Sequence, residues 1–163
     1  MKKILLISDT HGYIDEKIIK YASQVDEIWH AGDIGDISVS DKLKKIKPLR
    51  GVYGNIDDQK IRTEFPLHNR FICEKVNVWI THIGGYPKRY NPKILEELKS
   101  NPPDLFICGH SHILKVINDK KLGLLHINPG AIGKYGLHSV RTMVQFEING
   151  KKIENLSIIE FKR

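Results

Sequence analysis

Cysteine is scarce in this chain of 163 residues, with only Cys73 and Cys108 present. They form neither a CxxC pair nor a zinc-ribbon spacing, which excludes a disulfide framework and a cysteine-based zinc site. Both sit in apolar runs, the usual setting of buried thiols in a reducing compartment. Long apolar runs are missing as well. After Met1-Lys2-Lys3, only Ile4 to Ile7 are apolar before Ser8 and Asp9. A secretory signal needs a longer apolar stretch, and nothing reaches the roughly 20 residues of a membrane-spanning helix. A soluble, cytoplasmic protein with no membrane partner is expected. No linker, repeat or low-complexity tract interrupts the chain, so 1–163 is read as one domain.

Acidic residues are outnumbered. Lysine and arginine total 26 against 19 acids, a formal charge of +7. Such a surface suits an anionic partner, whether a phosphate-bearing small molecule, nucleic acid or an anionic membrane. A lysine-rich solvated surface explains the balance as simply. No recognition helix, zinc finger or aromatic–basic RNA motif stands out, so nucleic acid has no sequence support.

The apolar pattern sets the fold class. Lys3 to Ser8 reads as a strand buried on both faces. Asp15 to Ser23 reads as a helix, Asp26 to His30 as a strand, Ser40 to Lys47 as a short amphipathic helix, and Leu49 to Tyr53 as a third strand. This β-α-β-α-β order argues for a mainly parallel sheet covered by helices. Arg70 to Glu74 and Val76 to His82 read as adjacent strands. Pro92 to Ser100 is a helix with proline in its first turn, and Leu105 to Cys108 a buried strand. Beyond Ile113, strands and hairpins are expected, with turns at Asn118-Asp119-Lys120 and Asn149-Gly150. Val140 to Ile148 and Lys152 to Glu160 alternate as half-buried strands do. They either finish a sheet or pair across a homo-oligomer. The C-terminal half is expected to be mostly antiparallel. Two packed sheets flanked by helices fit this order better than one doubly wound sheet.

Chemistry-bearing residues fall where strands end. The ends read Ser8-Asp9-Thr10-His11-Gly12, His30-Ala31-Gly32-Asp33, Tyr53-Gly54-Asn55, Thr81-His82 and Gly109-His110-Ser111-His112. Carboxyl ends of parallel strands form the ligand crevice of α/β sheets. Asp9 with His11, and His110 with His112, are one residue apart, so alternation can point each pair to one side. Carboxylate and imidazole together suit zinc, manganese, iron, cobalt or nickel. Taken singly, Asp-x-His is an ordinary surface pair, Gly-Asp and Gly-Asn are ordinary turns, and His82 is an ordinary core histidine. The ordered series is what points to metal. Seven ligands exceed the need of one ion and fit two ions sharing a carboxylate.

This series resembles the calcineurin-like metallophosphoesterase superfamily. The short length, with Asn128-Pro129-Gly130 after the histidine pair, is similar to its small bacterial and archaeal phosphodiesterase branch. The resemblance implies a four-layer α/β/β/α sandwich of two mixed sheets flanked by helices. It implies that Asp9, His11 and His112 hold one metal, that Asn55, His82 and His110 hold the other, and that Asp33 bridges them. The cofactors would be two divalent transition-metal ions, manganese first, with nickel, iron, zinc or cobalt as alternatives. These residues would hydrolyse a small phosphodiester, such as a nucleotide, by in-line attack of a metal-bridging hydroxide. The alternative is a non-catalytic, metal-binding interaction scaffold, the role of the phosphoesterase-like retromer subunit, whose metal site lacks a histidine. Here every ligand position is filled.

Two departures from the family pattern stand out. Many members carry histidine directly after Gly-Asn, where it assists the leaving group; here Ile56 stands there, with His30 and His138 as conceivable substitutes. Ile83-Gly84 follows His82 where glycine often follows directly. Lys88 and Arg89 lie in a glycine- and aromatic-rich loop, either a wall against a phosphate or base, or plain solvated charge. Asp36, Asp57 and Asp58 are either supports for the ligands or turn residues. His68 and His126 have no motif context and are read as structural.

Overall fold

The computed structural model describes residues 1–163. In chain order the elements are β1 (Lys2–Ile7), α1 (Glu16–Ala22), β2 (Glu27–His30), α2 (Ile37–Lys44), β3 (Leu49–Gly51), α3 (Gln59–Glu64), β4 (His68–Cys73) and β5 (Val76–Thr81). There follow β6 (Gly85–Tyr86), β7 (Arg89–Tyr90), α4 (Pro92–Ser100), β8 (Leu105–Ile107), β9 (Leu114–Asp119), β10 (Leu124–Pro129), β11 (Val140–Asn149) and β12 (Lys152–Lys162). One five-stranded sheet has the order β12-β11-β1-β2-β3, a second has β4-β5-β8-β10-β9, and β6-β7 form a small hairpin.

Side-chain parity explains the layers. Along β1, Ile4 and Leu6 enter the core between the two sheets, where they meet Trp29, Val78, Ile80, Ile107 and Phe146. Leu5 and Ile7 point the other way, onto Ile18 and Ala22 of α1, Val39 and Leu43 of α2, and Ile61 of α3. In the second sheet, Trp79 and Phe106 face outward onto Ile94 and Leu98 of α4. A strand sandwiched on both faces must be apolar at every position, which is why β1 reads as an unbroken run. The result is the expected four-layer α/β/β/α sandwich, with both sheets mixed.

The helix starts follow local chemistry. Asp15, Asp36, Asp58 and Asn91 each accept a hydrogen bond from a backbone N–H of the first turn, at 2.8–3.1 Å. Such a cap contributes about 1 kcal/mol. The Asp36 cap starts α2 three residues before the expected Ser40, and the Asp58 cap starts α3, a helix that periodicity alone does not predict.

The second sheet departs from the expectation of an antiparallel C-terminal half. β5, β8 and β10 run parallel: α4 makes the crossover between β5 and β8, and β9, antiparallel to β10, returns the chain so that β10 lies parallel to β8. β12 pairs with β11 and completes the edge of the first sheet. No helix is long and apolar enough to cross a membrane. Both cysteines are free and buried.

Candidate metal centre

Five parallel strands deliver the site. β1, β2 and β3 in one sheet, and β5 and β8 in the other, end at the same edge of the sandwich. Their following residues carry Asp9 and His11, Asp33, Asn55, His82, and His110 with His112. The structure brings all seven together. Asp9 Oδ1 lies 3.3 Å from His112 Nε2 and 3.8 Å from both His11 Nε2 and His82 Nε2. Asp33 Oδ2 lies 3.1 Å from His82 Nε2 and 3.5 Å from His11 Nε2. Asn55 Oδ1 is 3.1 Å from His110 Nδ1. Two groups emerge, Asp9/His11/His112 and Asp33/His82/His110, each with its ligand atoms within 4.8 Å of one another. Asp33 borders both.

The backbone is strained to achieve this. Asp9, His11, Asp33, His110 and His112 all have φ between 45° and 71°. Non-glycine residues pay about 1–3 kcal/mol each for such conformations and hold them only where the surroundings insist. The glycines in the motifs have a different task. A Cβ on Gly32 would stand 2.6 Å from His82 Nδ1, and one on Gly109 would stand 2.8 Å from Asp9 Oδ2. Gly-Asp and Gly-His are therefore close-approach motifs as well as turns.

Hydrogen bonds aim the ligand atoms. His82 Nδ1 lies 2.7 Å from the Ala31 carbonyl oxygen. That oxygen can only accept, so Nδ1 carries a proton and Nε2 is the ring nitrogen left to face the site as a ligand atom. Asp9 Oδ2 accepts from Ser8 Oγ at 2.6 Å and from the His110 N–H at 3.1 Å. Asp9 Oδ1, His11 Nε2 and His82 Nε2 are buried and make no hydrogen bond. Unpaired buried polar atoms are costly, and here they converge. Two carboxylates, four imidazoles and an amide oxygen form a donor set that fits divalent transition metals.

Charge balance follows the same geometry. Burial alone raises the Asp9 carboxyl, but the imidazoles of His11 and His112 outweigh it and hold it well below the usual carboxylate range. Asp33 is likewise lowered, burial being outweighed mainly by His82. His82 is raised, because the two carboxylates outweigh its burial. His110 is lowered by burial and by the neighbouring His82.

The supporting residues divide clearly. Asp57 Oδ2 accepts from the N–H groups of Ile34 (3.1 Å) and Gly54 (2.7 Å), and Oδ1 accepts from Gly35 (2.8 Å). It ties the Asp33 loop to the Asn55 loop. Asp36 and Asp58 are helix caps. Asn128 Nδ2 donates to Gly109 O and Ser111 Oγ, and its Oδ1 accepts from Gly130 N–H, which anchors the histidine-pair loop. His30 is no spare proton donor. It is fully buried, its Nδ1 accepts from the Gly32 N–H, its Nε2 faces Thr10 Oγ1, and burial pushes its pKa down to about 4. His138 holds Gly133 O through Nε2, at 2.8 Å, and its ring packs on His112. Buried His126 is bonded through Nδ1 to Phe106 O, and His68 lies on Trp79.

An open cavity of about 790 Å³ adjoins His110 and His112, walled by Ile113, Tyr135, Leu137 and Arg163. Tyr135, which no motif signals, has its ring 4.8 Å from that of His11. Ile56, Ile83, Ile113 and Leu137 are exposed and follow, or lie near, the ligand residues. The Lys88–Arg89 loop does not border this cavity. It folds into the β6–β7 hairpin and lines a separate one.

The chain is similar in sequence and in fold to known proteins. A family model described as a calcineurin-like phosphoesterase superfamily domain matches residues 1–151. The chain is 28% identical over 156 residues to a probable metallophosphoesterase of Methanothermobacter thermautotrophicus, covering 91% of this chain and 87% of that protein. It is 31% identical over 134 residues to a probable metallophosphoesterase of Methanocaldococcus jannaschii, covering 77% and 66% respectively. Among solved structures it is similar to Chaetomium thermophilum Vps29, with a TM-score of 0.77 at 17% identity over 99% of this chain and 97% of that one. A structure described as a novel archaeal phosphodiesterase matches with a TM-score of 0.75 at 23% identity, over 96% and 99%. At these identities the structural likenesses speak to the fold alone.

Proposed function

Because the chain belongs to the calcineurin-like phosphoesterase superfamily, we propose that it is a dinuclear, metal-dependent phosphodiesterase. In this reading Asp9, His11 and His112 hold one divalent ion, Asn55, His82 and His110 hold the other, and Asp33 serves both. The observation that carries it is the convergence of buried ligand atoms without hydrogen-bond partners on two adjacent three-residue groups. Manganese is the first candidate metal. When bound, two such ions supply an activated water and positive charge for the non-bridging phosphate oxygens.

The chain's own residues do the rest. The carbonyl of Ala31 fixes the His82 tautomer. Asp57 and Asn128 hold the loops that present Asp33, Asn55 and the histidine pair. Ile56 occupies the place of a leaving-group acid and cannot give a proton, while its backbone N–H donates to Asp33 Oδ1 at 3.1 Å. Substrates with acidic leaving groups are therefore favoured. The exposed apolar side chains around the centre suit an aryl or nucleobase substituent on the diester.

The test is hydrolysis of an aryl phosphate diester and the matching monoester by metal-stripped protein given manganese, nickel, zinc or magnesium singly. Metal-dependent diester cleavage that falls by orders of magnitude in His110→Ala supports the reading. Full metal-dependent activity in that variant overturns the assignment. Two bound ions with no turnover on either ester would instead favour a scaffold, for which the exposed apolar rim would be the docking face.

A further inference from the structure

A second cavity, of about 510 Å³, lies between the β6–β7 hairpin, α4 and the β9–β10 turn. Lys88 and Arg89 come from the hairpin, Lys99 from α4, and Lys120 and Lys121 from the turn. Five cations from three separate segments thus converge on one hollow. None of them makes a salt bridge, whereas other basic residues of the chain, such as Arg50, Arg70 and Arg141, do. Asp119 is the one acid in the lining, and its carboxylate is already engaged by Tyr90 Oη at 2.6 Å and by the N–H groups of Lys121 and Leu122. Gathering like charges without counter-charges raises the local potential and costs stability.

Beside these cations the lining carries the apolar side chains of Leu95, Ile117 and Leu122 and an edge of the mostly buried Tyr90. A small anion would want its donors focused on one point. Cations spread over three segments, with apolar side chains between them, instead match a ligand with repeated phosphates and apolar faces, as in unpaired nucleic acid, whose affinity comes mainly from its backbone charge. The hairpin carries a further sign of constraint. Lys88 holds φ at 75° in the Tyr86-Pro87-Lys88-Arg89 turn, where glycine is the relaxed choice. Lys115 Nζ stands 3.4 Å from the centre of the Tyr86 ring, joining the hairpin to β9. β9 begins two residues after His112 and ends at Asp119 on the basic hollow. Its six residues span about 20 Å.

We propose that this basic cavity binds single-stranded nucleic acid and that the strand runs along β9 toward the metal centre. The first half stands on the cavity alone. The second half, that the strand is a substrate, rests on the phosphodiesterase reading above.

The test uses the full chain in chelator, with fluorescence anisotropy of a labelled 20-nucleotide oligothymidylate between 50 and 200 mM salt. Five phosphate contacts give a log–log slope of about −3.5, a loss of about 100-fold over that range. Lys88→Ala with Lys121→Ala should reduce the slope to about −2, a loss of about 20-fold. Lys20→Ala with Lys151→Ala removes the same charge from elsewhere and should keep the wild-type slope. Circular dichroism checks the fold of each variant. The proposal is overturned if the strand does not bind at 50 mM salt, or if the distant pair changes the slope as much. It is also overturned if inorganic phosphate at matched phosphate concentration displaces the strand, or if phosphatidylserine vesicles bind and the strand does not. His110→Ala separates the two readings, since it should abolish diester cleavage while strand affinity persists.

Discussion

Replacing Asp57 by asparagine tests how the metal centre is held open. The Asp57 carboxylate accepts three backbone hydrogen bonds, two on Oδ2 and one on Oδ1, from loops that carry Asp33 and Asn55. An asparagine oxygen placed at Oδ2 keeps the bonds from Ile34 and Gly54. Its amide nitrogen then faces the Gly35 N–H, donor against donor. One hydrogen bond to a charged acceptor is lost and one N–H is left unpaired, for a cost of about 2–3 kcal/mol. For a chain of this length that lowers Tm by roughly 4–12 °C. The loops that place Asp33 and Asn55 also loosen, so metal affinity should fall about 10–100-fold, as for other outer partners of metal ligands. Thermal melts with and without manganese, and calorimetric titration of the metal, read both effects. Asp58→Ala is the control. It removes the α3 cap, costs about 1 kcal/mol, and should leave metal affinity unchanged. If Asp57→Asn melts with the wild type, or if Asp58→Ala weakens the metal equally, Asp57 is an ordinary turn residue and the argument fails.

Other outcomes follow from the same structure. Gly32→Ala should lose metal binding while the protein stays folded, because the added Cβ meets the His82 ring at 2.6 Å and the residue must hold φ at 100°; a metal titration on the purified variant checks it. Metal at 100 times its Kd should stabilise the protein by about 2.7 kcal/mol per site, and a chelator should remove that increment without unfolding the chain, as melts would show. Ile56→His should raise turnover on alkyl diesters more than on aryl diesters, and an equal effect on both would count against proton donation at that position. His126 gives a pH prediction. Burial holds its pKa at about 4 against an ordinary value of 6.5, so the unfolded chain binds the extra proton first. Its contribution is complete above pH 6.5 and fades as pH falls toward 4, by at most about 3 kcal/mol. His126→Phe should flatten that part of the pH–stability curve measured by denaturant titration.

Several of these features were readable in the sequence, for identifiable reasons. A strand covered on both faces has no room for a polar residue, so Lys3 to Ser8 announces β1. Pro92 can stand at a helix start and nowhere later, which marks α4. The ligand residues follow strand ends, and strand ends are where short spacings keep their meaning. Other features depend on what comes near in space. The roles of Asp57 and Asn128 lie in which backbone N–H groups approach them. His30 looked free to give a proton, but both ring nitrogens are committed to Gly32 and Thr10. Tyr135 reaches His11 across more than a hundred residues. The five cations of the second cavity are scattered between Lys88 and Lys121, and only the pairing of β9 with β10 and the position of α4 gather them. The parallel pairing of β5 with β8 was legible in the helix that joins them, as in the first sheet, whereas that of β8 with β10 was hidden, since apolar runs do not record strand direction.

The left-handed backbone at Asp9, His11, Asp33, His110 and His112 bears on how such a centre can be lost in descent. Glycine and asparagine relieve the torsional cost at these positions, while β-branched residues deepen it. A lineage released from selection for metal binding therefore has a downhill route that gains stability by exchanging a ligand for glycine or asparagine. Decay of the centre and relief of backbone strain would then proceed together.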